Sequence, residues 1–254
     1  MKIEAIARYP VKGLGPEYLT KAALAANGSI SFDRIFAIAH GSTQFDPEAP
    51  EFLGKSHFLM LMKNPRLAAI ELRYSEDSGR LMLRMPDGGQ FDGDPADSTD
   101  RQALEALLDE FIGKESRGGP PRLVSAKGHR FFDMDANYVS LLNLASVEEV
   151  VKALNVALDP LRFRANLQVS GLEPWAERDF VGTELASGDV RFRVAGPITR
   201  CKAICANPGT AEYDLDLPYE LTRRFGGNRM GLYLEVVEGG EIGVGDSISP
   251  NARG

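Results

Sequence analysis

Cysteine and histidine are scarce in this chain: it has two of the first and three of the second in 254 residues. Cys201 and Cys205 stand four residues apart, so a disulfide between them would close a very small loop and constrain little; reduced thiols are expected. One cysteine pair, without a second pair or a histidine at ligand spacing, falls short of a zinc site or an iron-sulfur cluster. His40, His57 and His129 are scattered and supply no such pattern. No apolar run approaches the roughly 20 residues that span a bilayer, and Met1-Lys2-Ile3-Glu4-Ala5-Ile6 lacks the apolar centre of a signal peptide. A cytoplasmic chain with no membrane partner is expected. A net charge of -7 lacks the broad basic excess of a nucleic-acid or membrane-surface binder, so no nucleic-acid partner is expected either. Internal repeats, low-complexity tracts, long charge runs and a glycine-rich nucleotide fingerprint are also missing.

What is present is a 43% hydrophobic chain, enough for a sizeable core in one large domain or two small ones closely packed. Its apolar pattern is mostly of period two, broken by Gly, Asp, Asn and Pro, as antiparallel sheet requires. Ile70, Leu72 and Tyr74 alternate with charged or polar residues, Glu76-Asp77-Ser78-Gly79 reads as a turn, and Leu81, Leu83 and Met85 resume the alternation, giving a hairpin. Val190, Phe192 and Val194, and the run from Leu232 to Val237, read as further strands. Thr99 with Gln102 and Ser146 with Glu149 are capping-box patterns ahead of helical apolar stripes, and a third helix is expected over Pro218 to Arg224. Gly113 to Pro121 has linker composition. The expected fold is α+β, predominantly β: two intimately packed β-barrel-like domains, residues 1–118 and 119–254, with a few peripheral helices.

Four places could carry chemistry. Lys12, in Tyr9-Pro10-Val11-Lys12-Gly13, reads as a solvated lysine or as a cation projecting from a strand corner where Gly13 lets backbone approach a ligand. Arg34 lies in an apolar, strand-like run and needs a partner, either Asp33 or an anionic ligand. Arg162, Arg164, Asn166 and Gln168 alternate, which places guanidinium and amide donors on one face of a strand, suited to phosphate or a polar heterocycle. Cys201 by itself reads as a small core residue. Its neighbours Thr199 and Arg200 are of the kind that favour thiolate. On an extended strand Cys205 would share its face but lie over about 10 Å away, so Cys205 reads as core packing.

In this order and spacing the segments resemble the MOSC superfamily, named after the C-terminal domain of molybdenum cofactor sulfurases. Tyr9 to Gly13 is similar to the signature of that family's N-terminal β-barrel domain. Asp33-Arg34-Ile35-Phe36, Asn64-Pro65-Arg66-Leu67, Leu142 to Ser146, Arg162 to Asn166, Thr199-Arg200-Cys201, Gly226 to Tyr233 and Ile242 to Asp246 are similar to later blocks. The resemblance implies a molybdenum-pterin cofactor (molybdopterin), with Cys201 as metal ligand and catalytic residue. Lys12, Gly13, Arg34, Arg164, Asn166 and Arg200 would then bind the pterin and its phosphate, with Thr199, Asn143 and Ser146 as hydrogen-bonding neighbours. Ala165 replaces the family's usual proline, and Gly13 stands where relatives often carry serine. The segment Asn207 to Asp216 departs from the pattern of the best-known reductases.

Two activities follow from the resemblance. As in the amidoxime-reducing members, the chain would be an oxidoreductase that reduces N-hydroxylated or N-oxide-type small molecules with electrons from a separate reductase. Alternatively it would be a non-redox carrier of the cofactor, or of sulfur as a persulfide on Cys201, served by a separate sulfurase.

Overall fold

The computed structural model describes residues 1–250. Its largest sheet has eight strands, in the order Ser249–Pro250, Glu184–Ser187, Val190–Thr199, Arg229–Glu238, Val139–Asn143, Leu167–Ser170, Lys2–Arg8 and Glu17–Leu19. Val190, Phe192 and Val194 on one long strand, and Leu232, Leu234 and Val236 on the next, point inward and are buried to 1% exposure or less. That is the period-two pattern of the sequence turned into a core. The predominantly β fold is present, as a curled half-barrel with three α-helices around it.

One pairing in this sheet is parallel, Val139–Asn143 with Leu167–Ser170. Parallel neighbours require a crossover, here the helix Leu144–Leu154 followed by a 3-10 turn. The helices are α1 (Ser98–Ile112), α2 (Leu144–Leu154) and α3 (Leu217–Phe225). Two caps differ from expectation. Asp97, not Thr99, caps α1, its carboxylate accepting from the amides of Thr99 and Asp100; a carboxylate there also suits the positive end of the helix. Asn143, not Ser146, caps α2, accepting from the amide of Ala145.

Three of the four sheets join strands from both sides of residue 118. Lys21–Leu24 pairs with Gly240–Gly243, and Phe36–Ala39 lies between Val11–Lys12 and Arg122–Val124. The Glu71–Tyr74 and Leu81–Arg84 strands form the expected hairpin, with Leu72 opposite Leu83, and Gln90–Gly93 extends it. The glycine-rich segment before Pro120 packs closely, since a Cβ at Gly41 would come 2.5 Å from Gly119. Among the described residues no helix is long and apolar enough to cross a membrane.

Candidate functional site

The strand Val190–Thr199 carries register shifts between Val194 and Gly196 and between Pro197 and Thr199. Such bulges bend a strand and re-aim the residues after it. Beyond Thr199 the chain turns, and Cys201 begins a 3-10 helix over Lys202–Cys205. The extended geometry expected for Cys201 to Cys205 is therefore replaced by a turn. It folds Cys205 into the core at 3% exposure and leaves Cys201 half-buried.

A second turn rearranges the arginines. Asp159 accepts from the amide of Leu161 at 2.8 Å, and Pro160 starts a 3-10 turn ending at Phe163. Arg164 follows in the left-handed region at φ 50°, and the strand starts only at Leu167. Arg162, Arg164 and Asn166 thus do not share a strand face. Arg162 is buried, bonded to Asp214 at 2.5 Å and to the carbonyl of Cys205 at 3.2 Å. Arg164 faces the opening beside Cys201, while Asn166 turns into a buried network.

Together these turns shape a cleft of about 130 Å³ lined by Arg34, Arg164, Asn166, Thr199, Arg200 and Cys201. Arg34 lies in a turn ahead of its expected strand, at φ 52°, and pairs with Asp33. Its guanidinium lies 5.2 Å from the ring centre of Tyr9 and 4.9 Å from that of Phe132. Arg164 lies 4.5 Å over the same Tyr9 ring. Cations favour that position because the ring face is negative. Among the described residues the Arg164 guanidinium has no hydrogen bond or ion pair, and burial lowers its pKa. Burial also pushes the Tyr9 phenol up to about 12, so it stays neutral beside the two guanidiniums.

Arg200 is held by the carbonyls of Met230 at 2.8 Å and Phe163 at 2.7 Å. Its Nη2 is buried without a hydrogen-bond partner, and burial pushes its pKa down to about 10. A buried donor left unmade is costly, which makes the site receptive to an acceptor. Asp133 also lines the cleft, but it is engaged by Lys12 at 2.5 Å. The cleft thus combines one thiol with two guanidiniums, Arg164 and Arg200, that lack a carboxylate partner.

A family model described as the MOSC domain matches residues 128–249, and one described as the MOSC N-terminal beta barrel domain matches residues 1–116. The chain belongs to the MOSC family. A molybdenum cofactor sulfurase of Anopheles gambiae is 39% identical over 83 residues, covering 32% of this chain and 10% of the relative. The Homo sapiens protein of the same name is 22% identical over 240 residues, covering 80% of this chain and 26% of the relative. The chain thus spans about a quarter or less of the length of these two curated relatives. Among solved structures, the YuaD protein from Bacillus subtilis aligns with a TM-score of 0.46 at 15% identity, over 97% of this chain and 93% of that one.

In this MOSC chain the cleft draws Arg34 from the segment matching the N-terminal barrel domain and Arg164, Arg200 and Cys201 from the MOSC domain. The remaining expected residues serve the scaffold. The Lys12 ammonium is buried and points to the carbonyl of Phe131 at 2.9 Å and to Asp133, behind the cleft wall. Asn143 and Ser146 lie outside the cleft, where both bond the buried carboxylate of Glu177, at 2.9 and 3.0 Å. Ser146 also accepts from the amide of Trp175. Asn166 lines the cleft, yet its side-chain oxygen and nitrogen are engaged by Ser140, Ala7 and Asp33.

Gly13 is a conformational requirement in place of a ligand contact: its φ is +89°, and an added Cβ would stand 3.0 Å from the carbonyl of Leu59. Gly13→Ala is expected to destabilise the chain by at least about 1–2 kcal/mol, the usual cost of a left-handed L-residue. Urea denaturation measures this. Sequence reasoning missed Tyr9 as the platform for both arginines, although it stands in the motif of Lys12, and missed Asp133, for which no local signal exists.

Proposed function

We propose that this MOSC chain anchors the phosphorylated end of a molybdenum-pterin cofactor in the cleft and reduces N-hydroxylated or N-oxide-type small molecules with electrons from a separate reductase. The observation that carries the reading is the unpartnered Arg164 guanidinium, set on Tyr9 in the same cleft as the half-buried thiol of Cys201. The donor set fits the cofactor. A thiolate is a soft ligand, and guanidinium forks match phosphate oxygens. Among the described residues no group of three or more His, Cys, Asp or Glu side chains could hold a metal ion.

Arg164 would hold the anionic part, and Arg200, whose buried Nη2 lacks a partner, and Arg34, fixed by Asp33 and two rings, would add positive potential. Cys201 would bind the metal. When bound, the cofactor would supply the two-electron chemistry that breaks the N–O bond, the two electrons coming from the separate reductase and the oxygen leaving with two protons as water. The chain's own part is to bind and orient.

Protein made in cells that synthesise the cofactor is expected to contain near-stoichiometric molybdenum and to release a pterin on denaturation. Arg164→Ala is expected to weaken retention on the order of 10–100-fold, the worth of a charge-assisted hydrogen bond. Unchanged pterin content in that variant would count against the anion site. A second reading, sulfur carried as a persulfide on Cys201 and delivered by a separate sulfurase, is supported by the likeness to molybdenum cofactor sulfurases. It predicts metal-free protein with cyanide-releasable sulfur that disappears in Cys201→Ser.

A further inference from the structure

Cys201 also borders a second, more open space. A hollow of about 520 Å³ shares Asp133, Tyr138, Thr199, Cys201 and Tyr233 with the inner cleft. Its size falls within the roughly 300–1,000 Å³ typical of small-molecule sites. Its chemistry differs from that of the cleft. The rings of Tyr138 and Tyr233 stand 5.3 Å apart at 33°, and Pro197 and the exposed Met134 complete an apolar rim. Lys55 and Asp133 are the charged residues in the wall, and Asp133 already pairs with Lys12. The ring pair is held by the sheet: Tyr233 lies opposite Ser140, and Tyr138 directly precedes that strand. Neither phenol hydroxyl has a hydrogen-bond partner among the described residues, and burial raises the pKa of Tyr233, keeping it neutral.

We propose that this hollow binds the second reactant and selects a small, planar, uncharged aromatic molecule with one acceptor oxygen, such as a heteroaryl N-oxide, over saturated analogues. A planar ring stacks on Tyr138 or Tyr233 and passes its acceptor to a phenol hydroxyl, while the thiol of Cys201 lies on the shared border of the two spaces. The guanidinium-lined inner cleft remains for the anion. The inference rests on the cofactor reading for what happens after binding, but the binding preference can be read without it.

The test is a saturation-transfer NMR titration of the purified protein with pyridine N-oxide and with N-methylmorpholine N-oxide, beside metal analysis of the same wild-type preparation. Pyridine N-oxide is expected to bind at least several-fold more tightly. Tyr138→Ala and Tyr233→Ala are expected to weaken it about 3–10-fold, the worth of an aromatic contact. The corresponding Phe variants are expected to keep the stacking and to guard against a folding artefact. Equal affinity for the two N-oxides, or unchanged binding in both Ala variants, would overturn the inference. Selective binding in protein without molybdenum supports the hollow and overturns only the cofactor reading.

Discussion

Molybdenum content is expected to fall by at least the order of 10–100-fold when Cys201 is replaced by Ser, because loss of even an outer-sphere partner commonly costs that much metal affinity. The substitution removes one sulfur and changes little else. Cys201 is half-buried at the start of a short turn, and its amide and carbonyl positions do not depend on the side chain. A serine hydroxyl is a harder ligand and stays protonated near neutral pH, so it is a poor substitute for thiolate on a soft metal. Metal analysis with a circular-dichroism check on folding decides the matter. Cys205→Ala serves as the control, because Cys205 is packed in the core at 3% exposure, away from the cleft wall. Full molybdenum occupancy in Cys201→Ser would remove the metal-ligand role proposed for this thiol.

Asn166→Ala is expected to cost about 3–4 kcal/mol in stability, several times a typical surface substitution. Asn166 is 1% exposed. Its side-chain oxygen accepts from the amide of Ser140 at 3.1 Å and from the Ser140 hydroxyl at 2.8 Å. Its nitrogen donates to the carbonyl of Ala7 at 3.1 Å and to Asp33 at 3.2 Å. Truncation leaves a buried amide and a buried carbonyl without their side-chain partner and takes a donor from Asp33, which is 0% exposed and also orients Arg34. Urea denaturation is expected to show a lower midpoint with an unchanged slope. A loss under about 1 kcal/mol would mean that water replaces these bonds, and the network would not be the joint described above.

The two predictions separate residues that resemblance had grouped together. Cys201 and Arg164 present unengaged groups to the cleft, whereas Asn166, Asn143 and Ser146 are fully occupied within the scaffold. Residue type alone could not distinguish them. An amide that binds a ligand and one that joins two strands look the same until its partners are placed, and those of Asn166 are Ala7, Asp33 and Ser140, up to 159 residues away.

Much of the fold was legible because it is written in short-range pattern. Leu72 opposite Leu83 follows from alternation around a turn, and α1 follows from the stripe of Leu104, Leu108, Phe111 and Ile112. Cap positions slipped by two or three residues because Asp97 and Asn143 are as capable of capping as Thr99 and Ser146. The run Arg162 to Gln168 misled more seriously. Its alternation suggests a strand, but Pro160 and the Asp159 cap favour a 3-10 turn, and Arg164 takes a left-handed conformation that no periodicity reveals.

By itself, then, the sequence determined a predominantly β chain, a pair of thiols too close together to staple it, and an arginine beside one of them. Only the tertiary structure decided which guanidiniums stay unpaired, that Tyr9 carries both Arg34 and Arg164, and that Cys201 borders both a cationic cleft and an aromatic hollow. Local patterns record which side chains can be buried. Partner choice for a buried polar group depends on every other group brought within hydrogen-bond reach, and strands far apart in the chain set that reach.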